Sequence, residues 1–246
     1  MKIRKIVILG SSVALRVRPP AQPERLNKTY AQLLEDHLNE SESDTIFNVN
    51  NLSFSRALVQ EFLDKRDQIS SANANYIVVN LGVVDAPSRD TPLWFSNILS
   101  KRYFSILYHP CSFIYDNFLK KRFRRTLTSI RFNRSWVSEK KFKANLTNLI
   151  TLISRETYAK VIILGINKGS ERIEKQLPGT LQKLKKYDKI MQSVALDFNL
   201  DFIPTSDLES EDLFPDGVHY NLKGHRHISN LIAPLILKNE KDLDHK

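Results

Sequence analysis

Two short stretches near opposite ends of the chain hold residue types that together can attack a carbonyl carbon and move a proton. The first is Gly10-Ser11-Ser12-Val13, which follows an apolar run at residues 3–9. A serine on a tight turn after a buried strand is exposed where α/β sheets bind ligands. If a helix starts nearby, its free N–H groups can stabilise a developing oxyanion. Taken alone, the same residues also suit an ordinary turn or cap. The second stretch is Phe214-Pro215-Asp216-Gly217-Val218-His219-Tyr220-Asn221. A carboxylate three residues before a histidine can hold the imidazole in one tautomer and stabilise its cation. The imidazole can then take a proton from a serine hydroxyl. Asp-x-x-His is common; its weight comes from lying in the last loop, before a last helix that Asn221 could cap.

Other reactive residue types fit bland roles better. Cys111 is the single cysteine, so an internal disulfide and a cysteine zinc site are excluded. His109 is near it, but no carboxylate completes a relay. His225 and His227 are expected to pack against, or lie on the surface of, the last helix. No metal and no cofactor is expected.

The elements that must position these residues are legible as alternation. Short β-rich apolar runs at 3–9, 45–49, 76–81, 160–164 and 201–203 look buried on both faces, as in a parallel sheet. Between them lie amphipathic stretches near 28–39, 55–67, 138–156 and 179–198. A last one spans 222–238, where Pro234 is expected to kink the helix or end it early. This βα alternation predicts a doubly wound α/β sandwich, with functional residues after Leu9, Val49, Leu81, Leu164 and Ile203. With 246 residues, one domain over 1–246 is expected. The opening residues have the charge and apolar run of a secretory signal. However, Arg16 and Arg18 follow at once without a small-residue cleavage site, so a cytoplasmic protein is expected.

The two reactive stretches resemble the blocks of the SGNH/GDSL hydrolase family. Gly10-Ser11-Ser12-Val13 is similar to its first block, with Ser11 where the signature has Asp. Asp216-Gly217-Val218-His219, with Asn221 and Gly224, is similar to its last. The resemblance implies a three-layer α/β/α sandwich around a five-stranded parallel sheet. It implies Ser12 as nucleophile, His219 as base and then acid, and Asp216 as its orienting partner. Because the base must be neutral, activity should fade below roughly pH 6–7. The family's oxyanion hole uses the nucleophile's N–H, here Ser12, and that of a second-block glycine, whose place is assigned to Asn51. The third block, normally Gly-x-Asn-Asp, reads Gly82-Val83-Val84-Asp85, and Val84 has no side-chain donor. Losing one such donor typically costs about 2.7–4 kcal/mol. With Arg89 following, this block resembles a variant from bacterial polysaccharide loci. Gly82, Asp85, Arg16 and Arg89 are the expected substrate-binding residues, Asp85 also bracing its loop. Arg16, Arg18 and Arg89 could clamp an acidic sugar or phosphate, or be solvated loop residues.

The expected activity is removal of an acyl group, such as acetyl, from a carbohydrate ester. O-acyl transfer in polysaccharide biosynthesis and a non-catalytic binding role are the alternatives. One segment breaks the βα rhythm. Residues 92–137 are too long for a βα loop and are expected to form a helical insertion. The window 101–143 holds twelve Lys/Arg, two acids and ten aromatics, so it carries the whole net charge of +10. It could be a packed cap with a basic outer face, or a surface for an anionic membrane or acidic glycan. Nucleic acid is the weakest candidate, because no binding motif accompanies the charge.

Overall fold

The structure, a computed structural model, describes residues 1–15, 28–99, 113–115 and 120–244. Five parallel strands form one sheet in the order β2-β1-β3-β4-β5. They are β1 (Lys2–Gly10), β2 (Thr45–Asn51), β3 (Tyr76–Asn80), β4 (Lys160–Leu164) and β5 (Asp201–Ile203). Every residue of β3 is buried, as are the last five of β1 and the last four of β4. Continuous rather than alternating burial marks strands covered on both faces. The registers Ile8↔Val78 and Val78↔Ile162 align the inner strands, so their carboxyl ends share one edge.

Two groups of helices cover the sheet, giving the three-layer α/β/α sandwich. Helix α1 (Tyr30–Ser41) packs on the last helix, α9 (Leu222–Asp244). On the other side α6 (Glu139–Glu156) packs against α2 (Val59–Leu63) and α8 (Thr180–Asp197). The starts are locally encoded. Thr29 and Gln32 form a capping box for α1, and the Ser138 hydroxyl accepts from Lys141 N–H to open α6. Short helices α3 (Arg66–Ser71) and α7 (Glu171–Gln176) complete the body.

Two expectations on boundaries are corrected. The helix expected over 55–67 is divided into α2 and α3. Arg56 has φ 62°, which is not helical, and Lys65 leaves helical geometry at φ −104°, ψ 23°. Helix α9 neither stops at Pro234 nor near residue 238. Ile228, Ile232, Ala233 and Ile236 are fully buried along it, and that packing outweighs the hydrogen bond the proline removes.

The insertion supplies α4 (Leu93–Leu99) and α5 (Lys120–Ile130), and its return is tied to the loop after β3. Arg89 N–H donates to the Arg134 carbonyl, the Ser135 hydroxyl to Ala86 and the Trp136 indole N–H to Thr91. Gly82 starts that loop with φ 91°, where an added Cβ would lie 2.7 Å from Ile166 and 3.0 Å from Phe142. Replacing Gly82 with Ala should therefore cost about 1–3 kcal/mol. Urea unfolding would read this as a lower midpoint at unchanged slope; an unchanged midpoint would contradict it.

Candidate active site

Strand β1 ends at Gly10, and Ser12 opens a single 3-10 turn, Ser12–Ala14. The turn is held by Ala14 N–H to Ser11 O and Leu15 N–H to Ser12 O. As its first residue, Ser12 has a backbone N–H with no turn carbonyl behind it to receive it. A Cβ on Gly10 would lie 2.5 Å from the Ser53 hydroxyl, so the strand end needs a glycine for close approach.

The last loop brings its two polar groups to the same edge. Ser12 Oγ lies 2.8 Å from His219 Nε2, and His219 Nδ1 lies 2.5 Å from Asp216 Oδ2. The other Asp216 oxygen accepts the N–H groups of Val218 and His219 at 2.9 and 3.0 Å. With a carboxylate as its only kind of acceptor, Nδ1 carries the ring proton, which leaves Nε2 to accept from the hydroxyl. Burial alone would raise the Asp216 carboxyl. The hydrogen bond and charge of His219, with the two N–H groups, outweigh burial and hold it below the usual carboxylate range.

The loop is itself clamped. Phe214 N–H donates to the His219 carbonyl, Asn221 N–H to Asp212 and the Asn167 amide to Val218. Gly217 turns at φ 78°. Ser12 and His219 open onto a cavity of about 350 Å³, whose walls include Val84, Arg56, Arg89, Arg124 and Trp136.

The other expected site residues separate into three groups. Arg89 lines the cavity. Its Nη2 donates to the Val84 carbonyl at 2.6 Å, and its guanidinium lies 4.0 Å from the Trp136 ring centroid. Arg16, with Arg18 and Cys111, lies outside the described residues. Asn51, Gly82 and Asp85 are not among the residues that line the cavity. The Asn51 amide donates to Ala14 O and its side-chain oxygen accepts from Ser53 N–H, so it ties the two loops together instead. The residue after β2 that does line the cavity in a left-handed conformation is Arg56, at φ 62°. That is the backbone geometry a glycine would favour. Gly82 serves the loop turn, as above. Asp85 is fully buried behind the wall.

Arg56, Arg124 and Trp136 were not anticipated at the site. Arg56 occupies a glycine-like position without being glycine, so its sequence carried no signal. Arg124 faces inward with Thr128 one turn on, while Arg122 and Arg125 face out, and only that i, i+4 pair hints at it. His225 is buried as expected for a packing residue; its Nδ1 accepts from Tyr30 N–H at 3.1 Å. Among the described residues no cluster of His, Cys, Asp or Glu could hold a metal ion.

The sequence matches the GDSL-like Lipase/Acylhydrolase family over residues 8–227. The chain belongs to that family. It is an ester hydrolase by class. No curated protein matches it in sequence. Among solved structures it resembles a lipase/acylhydrolase from Enterococcus faecalis, with TM-score 0.64 and 18% identity over 95% of each chain. It also resembles an acetylxylan esterase from Geobacillus stearothermophilus, with TM-score 0.58 and 14% identity over 93% of this chain and 92% of that one. A third is an α/β hydrolase from the metagenome of Lake Arreo, Spain, with TM-score 0.60 and 16% identity over 93% of each chain. At these identities the likeness is one of fold.

Burial pushes the Asp85 carboxyl up to about 7, more than the Val59 N–H and the Arg89 charge draw it down. A raised folded-state value means the native protein holds this proton when the unfolded chain has lost it. Stability from Asp85 is full below its unfolded value of about 3.9 and is lost as pH rises to about 7. Asp85→Asn should remove this decline. Urea unfolding at several pH values across that window would show a flatter profile, and an identical profile would count against it.

Proposed function

We propose that the protein is a serine esterase that removes a short acyl group, acetyl in the first instance, from a carbohydrate through an acyl-enzyme. The observation that carries this reading is the unbroken chain of contacts from Asp216 through His219 to Ser12 at the mouth of one cavity. Ser12 Oγ attacks the acyl carbonyl carbon while its proton passes to His219 Nε2. The imidazolium is stabilised by Asp216 and then protonates the departing sugar oxygen as the ester C–O bond breaks. Water attacks the acyl-enzyme, gives a proton to Nε2, and the acid leaves as Ser12 regains its hydrogen. An acceptor hydroxyl in place of that water would make the same site an O-acyltransferase.

The oxyanion would form against the backbone N–H of Ser12, at the start of its 3-10 turn, and that of Arg56, whose left-handed backbone suits the glycine's place. Val84 adds an isopropyl group where the family has an amide, so turnover is expected to be slow. The fold likeness to an acetylxylan esterase supports a small acyl group on a sugar. So does the cavity, which is at the small end of the about 300–1,000 Å³ range of ligand pockets. Acetate release from p-nitrophenyl acetate and from acetylated xylooligosaccharides should fall by roughly 10⁴-fold or more in Ser12→Ala. Activity retained in that variant would remove Ser12 from the mechanism.

A second reading concerns location and rests on a separate observation. Six of the ten large, exposed apolar side chains among the described residues belong to the insertion: Trp94, Phe113, Ile114, Phe123, Ile130 and Phe132. Exposed Arg122 and Arg125 lie among them. We propose that this face rests on an anionic membrane, aromatics in the interface and arginines on headgroups. The protein should cosediment with phosphatidylserine-containing vesicles, less so in high salt, and Phe123→Ser with Ile130→Ser should weaken it. Equal sedimentation with purely zwitterionic vesicles would contradict this.

A further inference from the structure

The wall opposite the serine is unusually cationic for a site that acts on a neutral ester. Arg89 is half-buried, and among the described residues no carboxylate lies within ion-pairing distance of it. One Nη is spent on the neutral carbonyl of Val84, and the buried Nε has no hydrogen-bond partner. The Arg56 and Arg89 guanidinium carbons lie 5.0 and 4.0 Å from the centroid of the same Trp136 ring. Arg124 reaches in from α5. It pairs with Asp90 at 3.2 Å, and the Tyr115 hydroxyl also donates to that carboxylate at 2.6 Å. The carboxylate that lines the cavity, Asp216, has its oxygens committed to His219 and two N–H groups. Arg56, Arg89 and Arg124 thus line one small cavity whose one lining carboxylate, Asp216, is committed to the relay. Arg124 is paired with Asp90 and both Arg56 Nη groups are bonded to Ser96, which leaves Arg89 as the cation without a paired carboxylate.

A buried cation without a partner is costly unless something else supplies the opposite charge. Here the cavity leaves room for that charge to come from a ligand. We propose that the cavity beside Ser12 takes an ester whose sugar carries an oxyanion group, a carboxylate or a phosphate, seated between Arg89 and Arg124. Guanidinium groups stay charged at any working pH and suit either oxyanion, and Trp136 holds the Arg89 plane in place by stacking on it. Burial and the neighbouring Arg56 and Arg124 charges bring Arg89 down to about 10, more than the charges of Asp90 and Asp85 hold it up, and a bound anion would relieve that repulsion. The position of the anion relative to the scissile bond rests on the esterase reading above; the anion site itself does not.

Calorimetric titration of the whole chain with glucuronate, glucose 6-phosphate and glucose, at one ionic strength, tests the site without turnover. At least one anionic sugar should bind about tenfold or more tightly than glucose. That preference should fall by about tenfold in Arg89→Gln and in Arg124→Gln, and be partly kept in Arg89→Lys. Arg124 lies on a different element, α5, so its variant reads the site even if the Arg89 variant fails to fold. Comparing glucuronate with glucose 6-phosphate tells which oxyanion is preferred. Glucose bound as well as both anions, or a preference untouched in Arg124→Gln, would overturn the proposal. A parallel assay compares kcat/KM for O-acetyl glucuronide and O-acetyl glucoside. Cleavage without an anionic preference leaves the esterase and rejects the site. Anion binding with no cleavage of either leaves the site and rejects the esterase.

Discussion

A hydroxyl at residue 12 and an imidazole at residue 219 can share a proton only if the sheet delivers its first strand and its last loop to one edge. All five strands run parallel, so every carboxyl end faces the same way. The inner strands are covered on both sides, which fixes their register through packing as well as through hydrogen bonds. The loop before α9 is then pinned by backbone bonds within itself and by the Asn167 amide. Neither the serine nor the histidine is rigid by nature. Each is held by a few main-chain contacts at the end of a rigid element, which gives a proton relay its tolerance of only tenths of an ångström.

The insertion changes what that edge can recognise. An isolated helix with the composition of α5 would be expected to bury its apolar residues and expose its charges. Instead Arg124 turns inward to Asp90 while Phe123 and Ile130 face out. The interior it helps to cover is an arginine-lined cavity, so charge is drawn in, and the outward apolar residues are left for another surface. Arg89 links the two parts: it starts from the loop after β3, bonds the carbonyl of Val84 and stacks on Trp136 from the insertion's return. Val84 is thus braced by a guanidinium that also helps form the cavity wall.

The fold was readable because continuous apolar runs and amphipathic stretches alternate along the chain, and those patterns reflect burial directly. Boundaries were less so. Arg56 at φ 62° cuts short the helix expected from residue 55, and Pro234 sits inside a helix whose burial overrides it. At the site, the contact of Ser12 with His219 and of His219 with Asp216 was legible because each residue sits in a short block at a topologically fixed place. Asn51 was placed at the family's glycine position by its distance from β2, whereas the residue after β2 that lines the cavity with a left-handed backbone is Arg56, which no glycine announces. Gly82 and Asp85 were placed near substrate by their block, whereas one is needed for a turn and the other is sealed behind the wall. Arg124 and Trp136 reach the cavity through tertiary packing of an insertion, for which the Arg124 and Thr128 spacing is the one local hint.

The central claim is that the hydroxyl of Ser12 becomes covalently bonded to the substrate's acyl group. It is tested most directly by treating the protein with a fluorophosphonate, digesting it and locating the adduct by mass spectrometry. One adduct per chain is expected, on Ser12, formed more slowly when Asp216 is replaced by Asn. An adduct on another residue, or no adduct while ester hydrolysis proceeds, would contradict it.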